Sequence, residues 1–433
     1  MSASDSARQV VECRVCGAAD WQEVVSFGPV PLANSYLDPA DSYDDEPRYP
    51  LDVVSCRSCR LMTLTHVVDP EVLYRDYSYV TSDSETMDRH MRLVAKLCRE
   101  RFDVPEGSFV VELGSNTGEQ LMIFRDAGMR TLGIDPARSI AAVAEEQGIE
   151  TLPEFFSAST AKSVAESHGQ ARVILGRHVF AHIDHVAGIA VGVRNLLEPE
   201  GVFAIEVPYA LDMLERTEFD TIYHEHLSYY AVGTLATLFE RHGLRVIDVE
   251  RISVHGGSIL VFVGHGDGPW QQRPAVKELI ALEERAGLHD DATYREFAAK
   301  VRNVTESLTA LVRGLRADGK RIAGYGAPAK GNTLLTVCGL GPDDLEFCSD
   351  TTDLKQGKVL PGSHVPVRTP EYAREHAPDH YLLLAWNYTE EILRKERAFL
   401  ESGGKFIVLH PEPSVVSAES LAAAESVAAA RRS

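Results

Sequence analysis

Hydrophobic positions along the chain fall into three regimes. Up to about Met87 they are scattered, interrupted by prolines and by the acidic run Asp41 to Glu46, so short strands and loops are predicted there. From about Arg89 to Trp270 compact apolar runs alternate with helical stretches; the predicted strands are Phe109–Leu113, Arg130–Ile134, Ala171–Leu175 and Gly201–Val207. Such alternation marks a parallel sheet covered by helices. Val246–Ser253 and Ser258–Gly264, flanking His255-Gly256-Gly257, read as an antiparallel hairpin. A polar-faced stretch from Ala275 to Leu315 carries no strong turn signal and predicts a helical bridge. A second alternation follows at Arg321–Tyr325, Glu346–Ser349, His380–Ala385 and Lys405–Leu409, and the Ala-rich tail from Glu419 to Ser433 predicts a helix or a frayed end. The expected division is a small N-terminal domain over 1–87, a Rossmann-like α/β domain over 88–272, and the bridge with a second Rossmann-like α/β domain over 273–433.

Composition narrows the class. With 433 residues, 44% hydrophobic and 25% charged, the chain is globular and long enough for roughly three domains of about 150 residues. Its formal charge of −21 repels nucleic acid and anionic lipid, and no basic patch offsets it. No apolar run reaches the roughly 18 residues of a membrane span, and the start MSASDSARQV lacks a secretory pattern, so a cytoplasmic protein is expected. With no heptad run and no apolar edge, the expected state is a monomer.

Four of the seven cysteines form two C-x-x-C pairs, Cys13/Cys16 and Cys56/Cys59. Each such turn delivers two sulfurs to one centre, and tetrahedral Zn²⁺ takes four soft ligands. Neither pair lies between a strand and a helix as a thioredoxin-like redox site requires. Four thiolates leave no open position, so a structural zinc is expected in the first domain.

Phe109–Leu113 runs into Gly114-Ser115-Asn116-Thr117-Gly118 and then a helix. A dinucleotide site would want glycine where Asn116 stands, and the carboxylate of Glu112 would repel a pyrophosphate. The same carboxylate suits the cationic methionine moiety of S-adenosylmethionine. The next strand ends at Asp135, which can accept both ribose hydroxyls. Phe155 and Phe156 are placed either on the adenine or in the core. Arg177 and His178, at the carboxyl end of the fourth strand, are expected to face the donor methyl with His182 close behind.

Tyr223-His224-Glu225-His226-Leu227-Ser228-Tyr229-Tyr230 is the densest titratable cluster in the chain. His224 and His226 at alternate positions could ligate a metal, but the helical H-E-x-x-H spacing of zinc hydrolases is absent. A solvated loop would be unusually rich in His and Tyr. An acid–base site fits better: Tyr and His donate to a developing oxyanion while His or Glu removes a proton. Farther on, Gly324-Tyr325-Gly326-Ala327-Pro328-Ala329-Lys330-Gly331 follows a short strand and precedes a helix. Its backbone N–H groups and Lys330 could hold phosphates, although a tight packing turn explains the pattern nearly as well. Asp350, ending the next strand, is within reach of a ribose or base.

These motifs, in this order, resemble the deoxysugar C-methyltransferases. They comprise the cysteine pairs, E-x-G-S-N-x-G, H-V-F-A-H-I, Y-H-E-H-x-S-Y-Y, H-G-G-S, G-Y-G-A-P-A-K-G and K-Q-G-K-x-L-P-G-S-H, and they span Cys13 to His410. Members of that family are three-domain, zinc-containing enzymes that install the methyl branch at C-3 of nucleotide-linked deoxysugars in antibiotic pathways. The resemblance implies S-adenosylmethionine as donor and a dTDP-linked 4-keto-deoxysugar as substrate. It implies His226 as base, with Tyr223, His224, Glu225, His182 and one of Tyr77 or Tyr79 around the sugar. It also implies Gly326, Lys330, Asn332 and Asp350 beside the nucleotide, with Lys355 to His364 as a lid or docking loop. Three other readings compete with C-methylation: O- or N-methylation of an amino- or keto-sugar, a zinc-stapled adenosine sensor, and an oxidoreductase using the second glycine turn.

Overall fold

The computed structural model describes residues 6–74, 85–410 and 412–423. Tyr77 and Tyr79 lie outside these, as do the last ten residues of the tail.

In the first domain Trp21–Val30, Tyr49–Cys56 and Met62–Leu64 pair antiparallel. Tyr49, Leu51, Val53 and Ser55 are buried while their alternates are half-exposed, the period-two pattern of a strand with one covered face. The fourth strand of this sheet is Ser228–Tyr229, supplied by the central domain.

The central sheet has seven strands in the spatial order Leu244–Ile252, Ser258–His265, Leu197–Pro208, Ala171–Arg177, Phe109–Leu113, Arg130–Ile134 and Thr151–Leu152. The last five are parallel, and the expected hairpin closes the other edge with Ser258–His265 antiparallel to both neighbours. Phe109–Leu113 is buried throughout, as a strand covered on both faces must be. The chain runs outward from it to Thr151–Leu152, then returns to its other side at Ala171–Arg177. That reversal opens a crevice at the carboxyl ends of these two neighbours.

The bridge consists of two helices, Pro274–Arg285 and Asp291–Ala317, rather than one unbroken stretch. Gly287 takes a left-handed φ of 76° and its carbonyl accepts from the Asp290 N–H, so a four-residue turn forms where the sequence had suggested continuity. The second helix, roughly 40 Å long at 1.5 Å per residue, starts against the zinc turn through Arg57–Asp291 (2.8 Å) and later bonds the third domain through Thr309 Oγ1 to the Cys338 carbonyl (3.1 Å). The third domain is a six-stranded sheet, Val367–Arg368, Cys348–Ser349, Ile322–Tyr325, His380–Leu383, Lys405–Val408 and Ser414–Val416, parallel except for the last strand. No helix among the described residues is long and apolar enough to cross a membrane.

Candidate active site

The four cysteine sulfurs all lie within 4.8 Å of one another, with Cys13–Cys59 at 3.4 Å and Cys16–Cys56 at 3.5 Å. Zn–S bonds of about 2.3 Å put tetrahedral sulfurs about 3.8 Å apart, so the group fits Zn²⁺ with little adjustment. Two matching turns build it: Gly17 N–H donates to the Cys13 carbonyl and Arg60 N–H to the Cys56 carbonyl, with Gly17 and Arg60 both left-handed. Among the described residues no other group has metal-ligand spacing.

At the crevice, Gly114, Asn116 and Gly118 all have positive φ, wrapping the turn tightly around the strand end. A Cβ on Gly114 would sit 2.8 Å from Val179 Cγ2, so the turn and the Arg177–Val179 segment touch without room for a side chain. Glu112 is buried; its Oε1 is 3.4 Å from Arg177 Nε, its Oε2 has no partner among the described residues, and burial pushes its carboxyl up to about 7. A half-satisfied buried carboxylate is costly unless a cation completes it. Asp135, also buried, accepts the Asn116 and Ala137 N–H groups, one on each oxygen, leaving lone pairs for hydroxyl donors. These acceptors fit an amino-acid ammonium and a ribose, the two polar ends of S-adenosylmethionine. The phenylalanines part company. Phe155 is 64% exposed, whereas Phe156 packs against Gly192 on the helix Val186–Leu196.

His178 turns left-handed, and its ring lies 3.1 Å from Glu206 Oε1, which is also 2.7 Å from His90 Nε2. Burial opposes ionisation of Glu206, but the two imidazoles outweigh it and hold the carboxyl well below its usual range.

The loop Tyr223–Tyr230 divides its side chains between two sides. His226 Nδ1 lies 2.8 Å from the Thr221 carbonyl and its Nε2 2.7 Å from Tyr223 Oη. Since a carbonyl only accepts, Nδ1 carries the hydrogen and Nε2 the lone pair. Complete burial, with His182 and Lys330 nearby, holds this imidazole well below its ordinary pKa and therefore neutral. His182 packs edge-on to it at 5.0 Å between ring centroids, and burial lowers its pKa to about 4. Glu225 accepts from Asn34 Nδ2 (2.6 Å), and burial pushes it up to about 7. His224 turns the other way, donating from Nε2 to the Tyr49 carbonyl (3.2 Å) inside the first domain. The two histidines of H-E-H therefore do not converge.

Third-domain residues reach the same neighbourhood. Lys330 bonds Asn387 Oδ1 (3.2 Å), lies over Trp386 at 4.5 Å and is attracted by Asp220 and Glu218. Trp386 Nε1 donates to Asp220 (2.5 Å). Asn332 donates to the Ala33 carbonyl, and Asp350 accepts the Ala327 and Thr352 N–H groups. Gly326 is left-handed, with its N–H on the Ser349 carbonyl. Lys355 to His364 docks on the first domain: Val359 bridges Leu37, and Glu46 accepts from Gly362 N–H and lies 3.2 Å from His364. A small cleft lies among all three domains, lined in part by Val30, Leu51, Tyr223, His224 and Asn332.

Family profiles match in the same order as the domains: a zinc binding domain over residues 13–74, a methyltransferase domain over 86–249, and a C-methyltransferase C-terminal domain over 253–411. The C-methyltransferase NovU of Streptomyces niveus is 52% identical over 416 residues, which is 96% of this chain and 99% of that protein. The chain belongs to the C-methyltransferases. Two solved structures are more distant relatives of the central domain alone. The magnesium protoporphyrin IX methyltransferase of Synechocystis is 10% identical with a TM-score of 0.32, covering 41% of this chain and 79% of its own. A methyltransferase in complex with the Haloferax volcanii Trm112 activator is 17% identical with a TM-score of 0.33, covering 42% and 94%.

In this C-methyltransferase the sequence reading passed over several residues that touch the site. Asn34, Glu218 and Asp220 reach it through contacts between domains, and His90 reaches Glu206 from a helix more than a hundred residues earlier. Trp386, which the sequence sets with Asn387 and Tyr388 at the end of a strand on the same sheet edge, donates to Asp220. None belongs to a spaced motif. The one available signal was the acidic Glu215 to Asp220 stretch just before the Tyr223 cluster.

Proposed function

We infer that the enzyme methylates C-3 of a dTDP-linked 4-keto-deoxysugar in antibiotic deoxysugar biosynthesis, using S-adenosylmethionine and a base-generated enediolate. The observation that carries this reading is His226, neutral, with its tautomer set by Thr221 and its Nε2 lone pair turned to Tyr223. The bound donor supplies an electrophilic sulfonium methyl, so the demanding step is making carbon nucleophilic. A ketone at C-4 acidifies the C-3 hydrogen, and a positioned base contributes about 10²–10⁴ in rate. Here the Tyr223 hydroxyl occupies the lone pair that must take that hydrogen. Substrate entry swings this hydroxyl onto the C-4 oxygen, so one movement frees the base and supplies the acid that stabilises the enediolate. His182, edge-on to His226, and Glu225, its neighbour in the chain, stand beside the base. Glu112 would hold the donor ammonium and Asp135 its ribose. Lys330 and the turn at Gly326 serve the nucleotide.

The test is incubation with dTDP-4-keto-2,6-dideoxyglucose in deuterium oxide. Wild-type enzyme is expected to exchange the C-3 hydrogen without donor and, with donor, to form a product whose new methyl is carbon-bound by NMR. His226→Gln should lower both rates by about 10³ while leaving donor affinity unchanged. An oxygen- or nitrogen-bound methyl, or normal exchange in that variant, would refute the reading.

A further inference from the structure

Arg14 stands between the first two zinc ligands, yet its side chain is only 6% exposed. A guanidinium is taken out of water at high cost unless its donors are engaged. Its partners lie in the two histidine-bearing loops. Nη1 donates to the Leu227 carbonyl and to Ser228 Oγ, both at 2.9 Å, and Nη2 is 3.3 Å from Asp184 Oδ1. Leu227 directly follows His226, and Asp184 lies two residues beyond His182.

The surroundings make this a rigid junction. The Leu227 carbonyl also receives Leu64 N–H (3.1 Å) and Thr63 Oγ1 (2.8 Å), while Ser228 and Tyr229 pair with Thr63 and Met62. Thr234 Oγ1 bonds the carbonyl of Cys59, another zinc ligand (2.8 Å). Asp184 is held from outside by Arg8 at 2.5 Å. A planar, forked cation can span two loops at fixed geometry in a way an ammonium cannot.

We propose that Arg14 is a positioning residue that holds the His226 and His182 loops in register for removal of the C-3 hydrogen. The inference rests on the reading of His226 as the base. Arg14 acts through these loops, by its bonds to Leu227, Ser228 and Asp184. Its effect should fall on proton removal, where misplacing a group by about 1 Å costs about 100-fold.

The experiment uses full-length Arg14→Ala with its zinc content measured by elemental analysis. At full zinc occupancy, C-3 deuterium wash-in should fall about 100-fold, with donor and sugar affinities within about twofold of wild type. The isotope effect on turnover of C-3-deuterated sugar should rise, because proton removal becomes slower than the steps after it. A merely structural loss lowers the fraction of working molecules and leaves that isotope effect where it was. Added guanidinium at millimolar concentration should restore part of the rate. If Arg14→Ala loses zinc, Ser228→Ala, which removes one Arg14 bond and leaves the cysteine turns alone, decides the matter through a wash-in rate about threefold lower. Unchanged wash-in and isotope effect in zinc-replete Arg14→Ala, or in Ser228→Ala where zinc is lost, would overturn the proposal. His226→Gln is run alongside: if it still exchanges C-3, the base assignment fails, and that outcome is separate from a failure at Arg14.

Discussion

The two glycine turns, Glu112 to Gly118 and Gly324 to Gly331, share a local grammar: a buried strand, left-handed glycine and a helix. They end in opposite states. At the first, Glu112 keeps a buried oxygen without a partner among the described residues. At the second, protein groups already occupy the polar positions. Asp350 staples two N–H groups, and the Ala327 carbonyl takes both Tyr36 Oη (2.5 Å) and Lys355 Nζ (3.1 Å). Asn332 on the following helix is drawn to Ala33 of the first domain. The first turn keeps a buried polar atom to spare, whereas the second shares its hydrogen bonds with the first domain. The same strand–glycine–helix pattern thus leaves different polar capacity according to what the rest of the fold has claimed.

Three perturbations of graded size sharpen this contrast. The largest is Glu112→Gln. Removing the charge that completes a buried ion pair is expected to weaken S-adenosylmethionine binding by about 10- to 100-fold, matching the 1.5–3 kcal/mol of a charged hydrogen bond, with sugar affinity unchanged. Isothermal titration measures both, and an unaltered donor affinity would erase the distinction between the turns.

The next is pH. The folded Glu112 carboxyl titrates near 7, above its ordinary 4.5, so in the ligand-free protein its contribution to stability is present at low pH and is lost as pH rises through about 7. A donor cation recovers that loss only where the group is ionised. The thermal stabilisation given by donor should therefore grow between pH 5.5 and 8, and binding near pH 6 should release about one proton. Calorimetry in buffers of different ionisation enthalpy reads the proton directly.

The smallest are substitutions at the second turn, beginning with Asp350→Ala. Loss of two backbone bonds to one carboxylate should cost about 1–2 kcal/mol of stability, seen as a lower melting midpoint, while donor affinity stays at the wild-type value. Tyr36→Phe, which removes one bond to the same turn, should cost about 1 kcal/mol. A donor-binding defect in either variant would show that the second turn acts on the first.

How much could be read beforehand follows from the range of each interaction. The zinc turns were legible because C-x-x-C writes its geometry into four consecutive residues, and only the meeting of the two pairs needed the sheet. Strands such as Phe109–Leu113 were legible because burial on both faces leaves an unbroken apolar run. The helix break at Gly287 was passed over because one glycine inside a polar-faced stretch is weak punctuation. It becomes a turn once Asp290 and Thr293 bond its carbonyl. Ser228–Tyr229 could not have been assigned to the first domain's sheet, since two residues carry no period.

The residues alone determined which chemistry the chain can carry: four thiolates for zinc, a carboxylate before a glycine turn, and imidazole and phenol packed into eight positions. Tertiary structure decided which of these groups remain available. It directed His226 toward Tyr223 and His224 toward Tyr49, left Glu112 half-satisfied and tied Asp350 to the Ala327 and Thr352 N–H groups. The physical reason is that a side chain's chemical identity is local, whereas desolvation and hydrogen-bond partners are supplied by segments that may lie two hundred residues away.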